Sequence, residues 1–120
     1  MRYDNLPIYK SALNLCVYAE TIVRSFDKYN KYTIGEDLRT MSKELLFLIH
    51  RANISQNKKE FLEDLRNKCE DLKMMINLIK ELKAFKSFKQ FEQISRLTIE
   101  VCKQSQGWLN SSMKNARVCK

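Results

Sequence analysis

Leu-Glu-Asp-Leu-Arg-Asn-Lys-Cys-Glu-Asp-Leu-Lys-Met-Met-Ile-Asn-Leu-Ile, residues 62–79, decides the fold. Leu62, Leu65, Cys69, Leu72, Ile76 and Ile79 recur at steps of three and four, close to a heptad. Such spacing draws one apolar stripe down an α-helix. The residues between them mix both signs of charge, as a solvated face does.

The same pattern extends outward in both directions. Upstream, Ile34, Leu38, Met41, Leu45, Leu48, Ile49 and Ala52 form a second stripe, which fades at Asn53-Ile54-Ser55-Gln56-Asn57. A further stripe runs through Ile8, Ala12, Leu15, Cys16, Ala19, Ile22, Val23 and Phe26. Pro7 suits its first turn, where a missing N–H costs nothing, and Asn5 is the expected cap. Polar Asp27 to Asn30 turn the chain into the next helix. Downstream, Ser87 and Gln90 read as a capping box for a last helix. That helix carries Phe91, Ile94, Thr98, Val101, Cys102, Ser105 and Leu109. Trp108 is expected to anchor its end beside Gly107, where a helix often stops or bends. Four helices with short connections predict an all-α, antiparallel up-down-up-down four-helix bundle. The bundle domain is expected over residues 1–112, with a basic C-terminal tail over 113–120.

Composition narrows the function. The 120 residues include 22 Lys and Arg against 14 Asp and Glu, a formal charge of +8. Only two Gly and one Pro occur, too few for a sheet built on tight turns. No apolar run approaches the roughly 20 residues of a membrane span. The N-terminus lacks the apolar segment of a secretion signal, so a cytoplasmic protein with reduced thiols is expected. Cys16, Cys69, Cys102 and Cys119 form no Cys-x-x-Cys pair. A single His, His50, has Phe47 three residues before it, so the Glu-x-x-His of a di-iron bundle is missing. Gly35 and Gly107 form no phosphate loop. The reading is a non-enzyme with no metal or cofactor.

Two surface features point to binding. Leu6, Leu13 and Val17 lie off the stripe of the first helix, Leu46 and Phe47 off the second, Met74 and Leu78 off the third. Recurrence on three helices predicts a subunit interface in a symmetric homo-oligomer. The positive charge clusters as well. Arg39, Lys43 and His50 share one line opposite a core stripe, with Arg24, Lys28 and Lys31 near the preceding turn. A second set contains Lys86, Lys89, Arg96 and Lys103. Lys80, Lys83, Lys86 and Lys89 interleave with Phe85 and Phe88, a pattern that fits phosphates and unstacked bases. Its bland alternative is a solvated helix end whose two rings plug the bundle. Copies of a +8 chain sum their fields and attract polyanions.

Four stretches resemble the accessory variability determinant proteins of diversity-generating retroelements, within a four-helix-bundle superfamily that includes 23S rRNA intervening-sequence proteins. They are Leu6-Pro7-Ile8-Tyr9-Lys10, the turn from Phe26 to Gly35, the Leu-rich run from Leu65 to Leu82, and Arg96-Leu97 followed by Gly107-Trp108-Leu109. Asp27 stands where the family usually has proline. Arg51-Ala52-Asn53-Ile54-Ser55-Gln56 keeps only the Asn-Ile of the ribosomal branch, which favours the retroelement branch. The resemblance implies a homopentamer with a basic surface. It also implies partnership with the retroelement's reverse transcriptase, and binding of RNA or DNA during mutagenic cDNA synthesis. The alternatives are an RNA-associated bundle of the ribosomal branch and a purely structural oligomer.

Overall fold

A computed structural model describes residue 2 and residues 5–118, with side chains through 115. Its helices are α1 (Pro7–Val23), α2 (Lys28–Tyr32), α3 (Ile34–Ile54), α4 (Lys58–Glu81) and α5 (Phe88–Val118). The described residues form no strand. The four long helices make a closed ring of neighbours in which α3 packs on α1 and α4, and α5 packs on α4 and α1. The body measures 53 × 23 × 21 Å.

The four stripes meet in one core. Leu15, Leu38, Leu45, Ile49, Leu62, Leu65, Leu72, Ile79 and Ile94 are fully enclosed there. Two buried hydroxyls are satisfied locally: Ser42 donates to the Leu38 carbonyl at 2.7 Å and Thr98 to that of Ile94 at 2.8 Å.

Helix ends explain where the chain turns. Pro7 opens α1 as expected, but the N-cap is Leu6 and no side chain caps it, so Asn5 does not hold that role. Asp27 has a use of its own. Its carboxylate accepts the Asn30 backbone N–H at 2.9 Å and the Asn30 amide at 3.0 Å, which nucleates the one-turn helix α2 inside the expected turn. At the C-terminus of α3, Lys58 Nζ donates to the carbonyls of Ala52, Asn53 and Ser55 at 2.9, 2.9 and 3.0 Å. One ammonium thus serves carbonyls that the helix end leaves without partners. Helix α4 stops with Lys83 at φ 59°. Lys83 N–H donates to the Lys80 carbonyl and Ala84 N–H to that of Ile79, a Schellman arrangement that usually employs glycine. One half of the expected capping box of α5 forms, Gln90 N–H donating to Ser87 Oγ at 3.3 Å; Gln90 Oε1 accepts the N–H of Lys86, one residue before the cap, at 2.9 Å.

Three expectations change at the C-terminus. Gly107 does not stop the last helix, because α5 runs through it to Val118. The basic segment expected as a tail from residue 113 therefore begins inside α5; Cys119 and Lys120 lie outside the described residues. Trp108 is half-buried against the core at mid-helix rather than at a helix end.

Candidate functional site

The first basic set splits when folded. Arg24 on α1 and Arg39 and Lys43 on α3 line one open groove with Cys16, Val17, Glu20 and Thr21. Lys28 and Lys31 lie on α2, outside that lining. Arg39 is not a free cation. Its Nε and one terminal nitrogen meet the two Glu20 oxygens at 2.7 Å each, and its other terminal nitrogen lies 3.3 Å from Glu36. This bidentate pair ties α1 to α3. The hydrogen bond from Arg39 holds the Glu20 carboxyl below its ordinary range, and the charges of Arg24 and Lys43 add to it. The cations of this groove thus converge on an anion of the same chain, which cancels part of their field. Arg39 clasps α1 to α3, with its guanidinium engaged by Glu20 and Glu36. Arg24 and Lys43 remain exposed.

The second set is better displayed. Lys89, Arg96 and Lys103 are exposed and follow one another by seven residues on α5, with exposed Lys114 eleven further. Seven and eleven residues each return a helix to within roughly 20° of the same direction. The four cations therefore form one line down the outer face of α5. Lys114 extends the predicted set, because the helix continues past the point where a tail was expected. Lys89 and Arg96 also line a groove with Glu92 and Gln93, whose amide oxygen accepts from Arg96. Lys86 is exposed in the α4–α5 connection.

The Phe–Lys segment divides in two. Phe85 is half-buried and meets the buried ring of Phe26 edge-on, with centroids 5.8 Å apart, so it plugs the bundle end. Phe88 does not plug it, being 64% exposed.

Among the residues expected at a subunit interface, Leu13, Val17, Phe47, Met74 and Leu78 are exposed, Met74 to 71%. Leu6 departs from that set. It is the N-cap residue of α1 and is half-buried against the core, as is Leu46 on α3. Ile54 and Leu82 are further exposed apolar residues outside the expected interface, one at a helix end and one past it.

The Cys16 thiol donates to the Ser42 carbonyl at 3.1 Å, and burial pushes it up to about 11. Cys69 is raised by its hydrogen bond with Cys102 and by burial. His50 is exposed on α3. No helix of the described residues is long and apolar enough to cross a membrane.

The residues that carried the family resemblance serve packing. Gly35 is buried, and a Cβ there would lie 2.8 Å from Val23 Cγ1 and 2.9 Å from the Asn30 carbonyl oxygen. The turn from Phe26 to Gly35 thus closes only around a residue without a side chain. Leu109 is buried and Leu97 and Trp108 lie against the core. A search of curated proteins finds no match. The family model described as bAvd-like matches residues 8–112, from the start of α1 deep into α5. The chain therefore belongs to the bAvd-like family, the accessory proteins of diversity-generating retroelements.

Proposed function

We propose that this chain is a non-enzymatic accessory subunit that works beside the reverse transcriptase of a diversity-generating retroelement. It binds the template RNA or the cDNA through the basic line of α5. Membership of the family carries the retroelement part of this reading. The line Lys89, Arg96, Lys103 and Lys114 carries the nucleic-acid part. These four exposed cations outnumber the two acids of the same helix, Glu92 and Glu100. Phosphates spaced along a strand match such a line, and each phosphate bound releases counterions.

The long helices run antiparallel in this reading. Supporting it, α1 meets α5 at Ser11–Gln104, Ser25 just past the end of α1 meets Gln90 at the start of α5, and α1 meets α3 at Cys16–Ser42 and at Glu20–Arg39. The chain assembles as a homo-oligomer, a pentamer by family likeness. The exposed Leu13, Val17, Phe47, Met74 and Leu78 on α1, α3 and α4 support such an assembly, and α5 adds the exposed Ile99.

The test is RNA and DNA binding across a salt series, by anisotropy, with sedimentation in parallel. Replacing Lys89, Arg96 and Lys103 by Ala should lower affinity and flatten the log–log salt slope by about one for each phosphate no longer neutralised. Replacing Arg24 and Lys43 should do less, since Glu20 already offsets them. A triple variant that binds with the parent's affinity and slope would refute the α5 assignment. A stable monomer at micromolar concentration would refute the oligomer.

A further inference from the structure

The corner where α4 passes into α5 holds a chain of four aromatic rings that runs from core to solvent. Phe26 is buried, and Phe85 and Phe91 are half-buried. Phe88, the first residue of α5, is the exposed end. Successive centroids are 5.8 Å (Phe26–Phe85), 6.0 Å (Phe85–Phe91) and 5.6 Å (Phe91–Phe88) apart. The inner rings hold Phe88 in place, as does the cap made by Ser87 and Gln90 on either side of it.

Phe88 rests on Phe91 on one side and keeps most of its surface in water. Lys80 Nζ sits over the Phe91 ring, 4.7 Å from its centroid, so that ring already has a partner. Phe88 presents its ring to water. A shallow depression beside it is lined by Lys80, Lys83, Phe85, Ser87, Phe88 and Phe91. Lys83 lines it, and Lys86 and Lys89, exposed as well, flank Phe88 in the chain two residues before and one after, against the acids Glu81 and Glu92. The corner thus combines an open π-face with a surplus of cations. A nucleobase with its phosphate needs both within one nucleotide's reach. A duplex hides its base faces inside the stack and gains nothing from the ring.

We infer that this corner is a binding site for single-stranded nucleic acid, with an unstacked base on Phe88 and the neighbouring phosphates on Lys83 and Lys86. It rests on the reading that the chain binds nucleic acid, and adds to it the strand state and the stacking residue. The site lies at the head of the α5 line, so a strand leaving Phe88 meets Lys89 and Arg96 next.

The experiment compares the parent with Phe88→Ala and Phe88→Trp on labelled oligouridylate, oligodeoxythymidylate and a short DNA duplex. Phe88→Ala should weaken both single strands by about tenfold or more, since stacking on one ring is worth that much. It should leave duplex affinity and the salt slope unchanged, because no charge is removed. Phe88→Trp should keep the affinity and show quenched emission on binding, beyond any change of Trp108 seen in the parent. Separate Lys83→Ala and Lys86→Ala variants should each flatten the slope by about one. If oligouridylate alone responds, the ligand is RNA; if oligodeoxythymidylate alone, cDNA; either supports the site. The inference falls if Phe88→Ala binds single strands as the parent does, or weakens duplex equally. It falls too if the variant disperses the oligomer, which would place Phe88 between copies. A parent that binds none of the probes overturns the functional reading itself, a result distinct from a parent that binds while Phe88→Ala changes nothing.

Discussion

Two glycines show how one residue type takes opposite roles at different depths. Gly35 is enclosed, with Val23 and the Asn30 carbonyl closer than any Cβ tolerates. Gly35→Ala should destabilise by about 1–3 kcal/mol, since a backbone carbonyl must move to admit the methyl. Gly107 has nothing within 4 Å of a Cβ and lies inside α5. Gly107→Ala should stabilise by about 1 kcal/mol, because alanine loses less backbone freedom in a helix. Denaturant melts of both variants check the opposite signs. Both positions carry structural weight from sequence alone, but the pattern around Gly107 suggests a helix end that does not form there. The difference lies in surroundings: periodicity does not reveal whether the space beside a glycine is occupied.

At the scale of elements, the pairing of α1 with α3 turns on Arg39. Its guanidinium holds both Glu20 oxygens and also reaches Glu36. Glu20 and Arg39 keep 35% and 25% of their side chains exposed, so water screens the pair. Arg39→Ala should therefore cost about 1 kcal/mol, the upper end for exposed pairs, and Glu20→Gln a similar amount. The double variant should cost less than the sum, a coupling that melts of the four proteins measure. The pH dependence has a definite sign. Glu20 is held below its unfolded pKa, so the stabilisation is present above the ordinary carboxylate range and is lost as pH falls through the folded value. The gap between parent and Glu20→Gln should be open at neutral pH and close in acid. The α4 terminus also turns on one side chain. Lys83 takes a left-handed conformation there without being glycine, which costs about 1–2 kcal/mol. The turn it makes brings Ala84 into the core and sets Phe85 against Phe26.

For the molecule as a whole, α1, α3 and α4 turn exposed apolar side chains outward, while α5 carries a line of cations with exposed Phe88 and Ile99 beside it. In the proposed assembly one surface would join copies while the other meets a polyanion, and repetition around the axis would multiply weak phosphate binding. The shared core also sets the behaviour of the thiols. Cys16 is pushed up to about 11 by burial, and Cys69 is raised by its bond with Cys102 and by burial. Both should resist alkylation near pH 8 in the native protein and react quickly once it is unfolded, since the thiolate is the nucleophile. Peptide mapping after a timed alkylation checks this. Rapid native labelling of Cys69 would mean that α4 and α5 separate readily.

The inward faces of the helices are written in the order of residues. Leu62, Leu65, Cys69, Leu72, Ile76 and Ile79 are all buried, as are Leu38, Leu45, Ile49 and Ala52. Burial along a helix is a local periodicity, and the backbone's 3.6-residue turn makes it legible without a partner. The cap at Ser87 is legible for the same reason, its residues being three apart. Folding in three dimensions was needed to close Arg39 on Glu20, to bring Cys69 to Cys102, and to send Phe85 inward while Phe88 stays out. Each depends on which side chain a neighbouring helix brings opposite. That juxtaposition follows from the packing of elements far apart along the chain, which no spacing within one helix encodes.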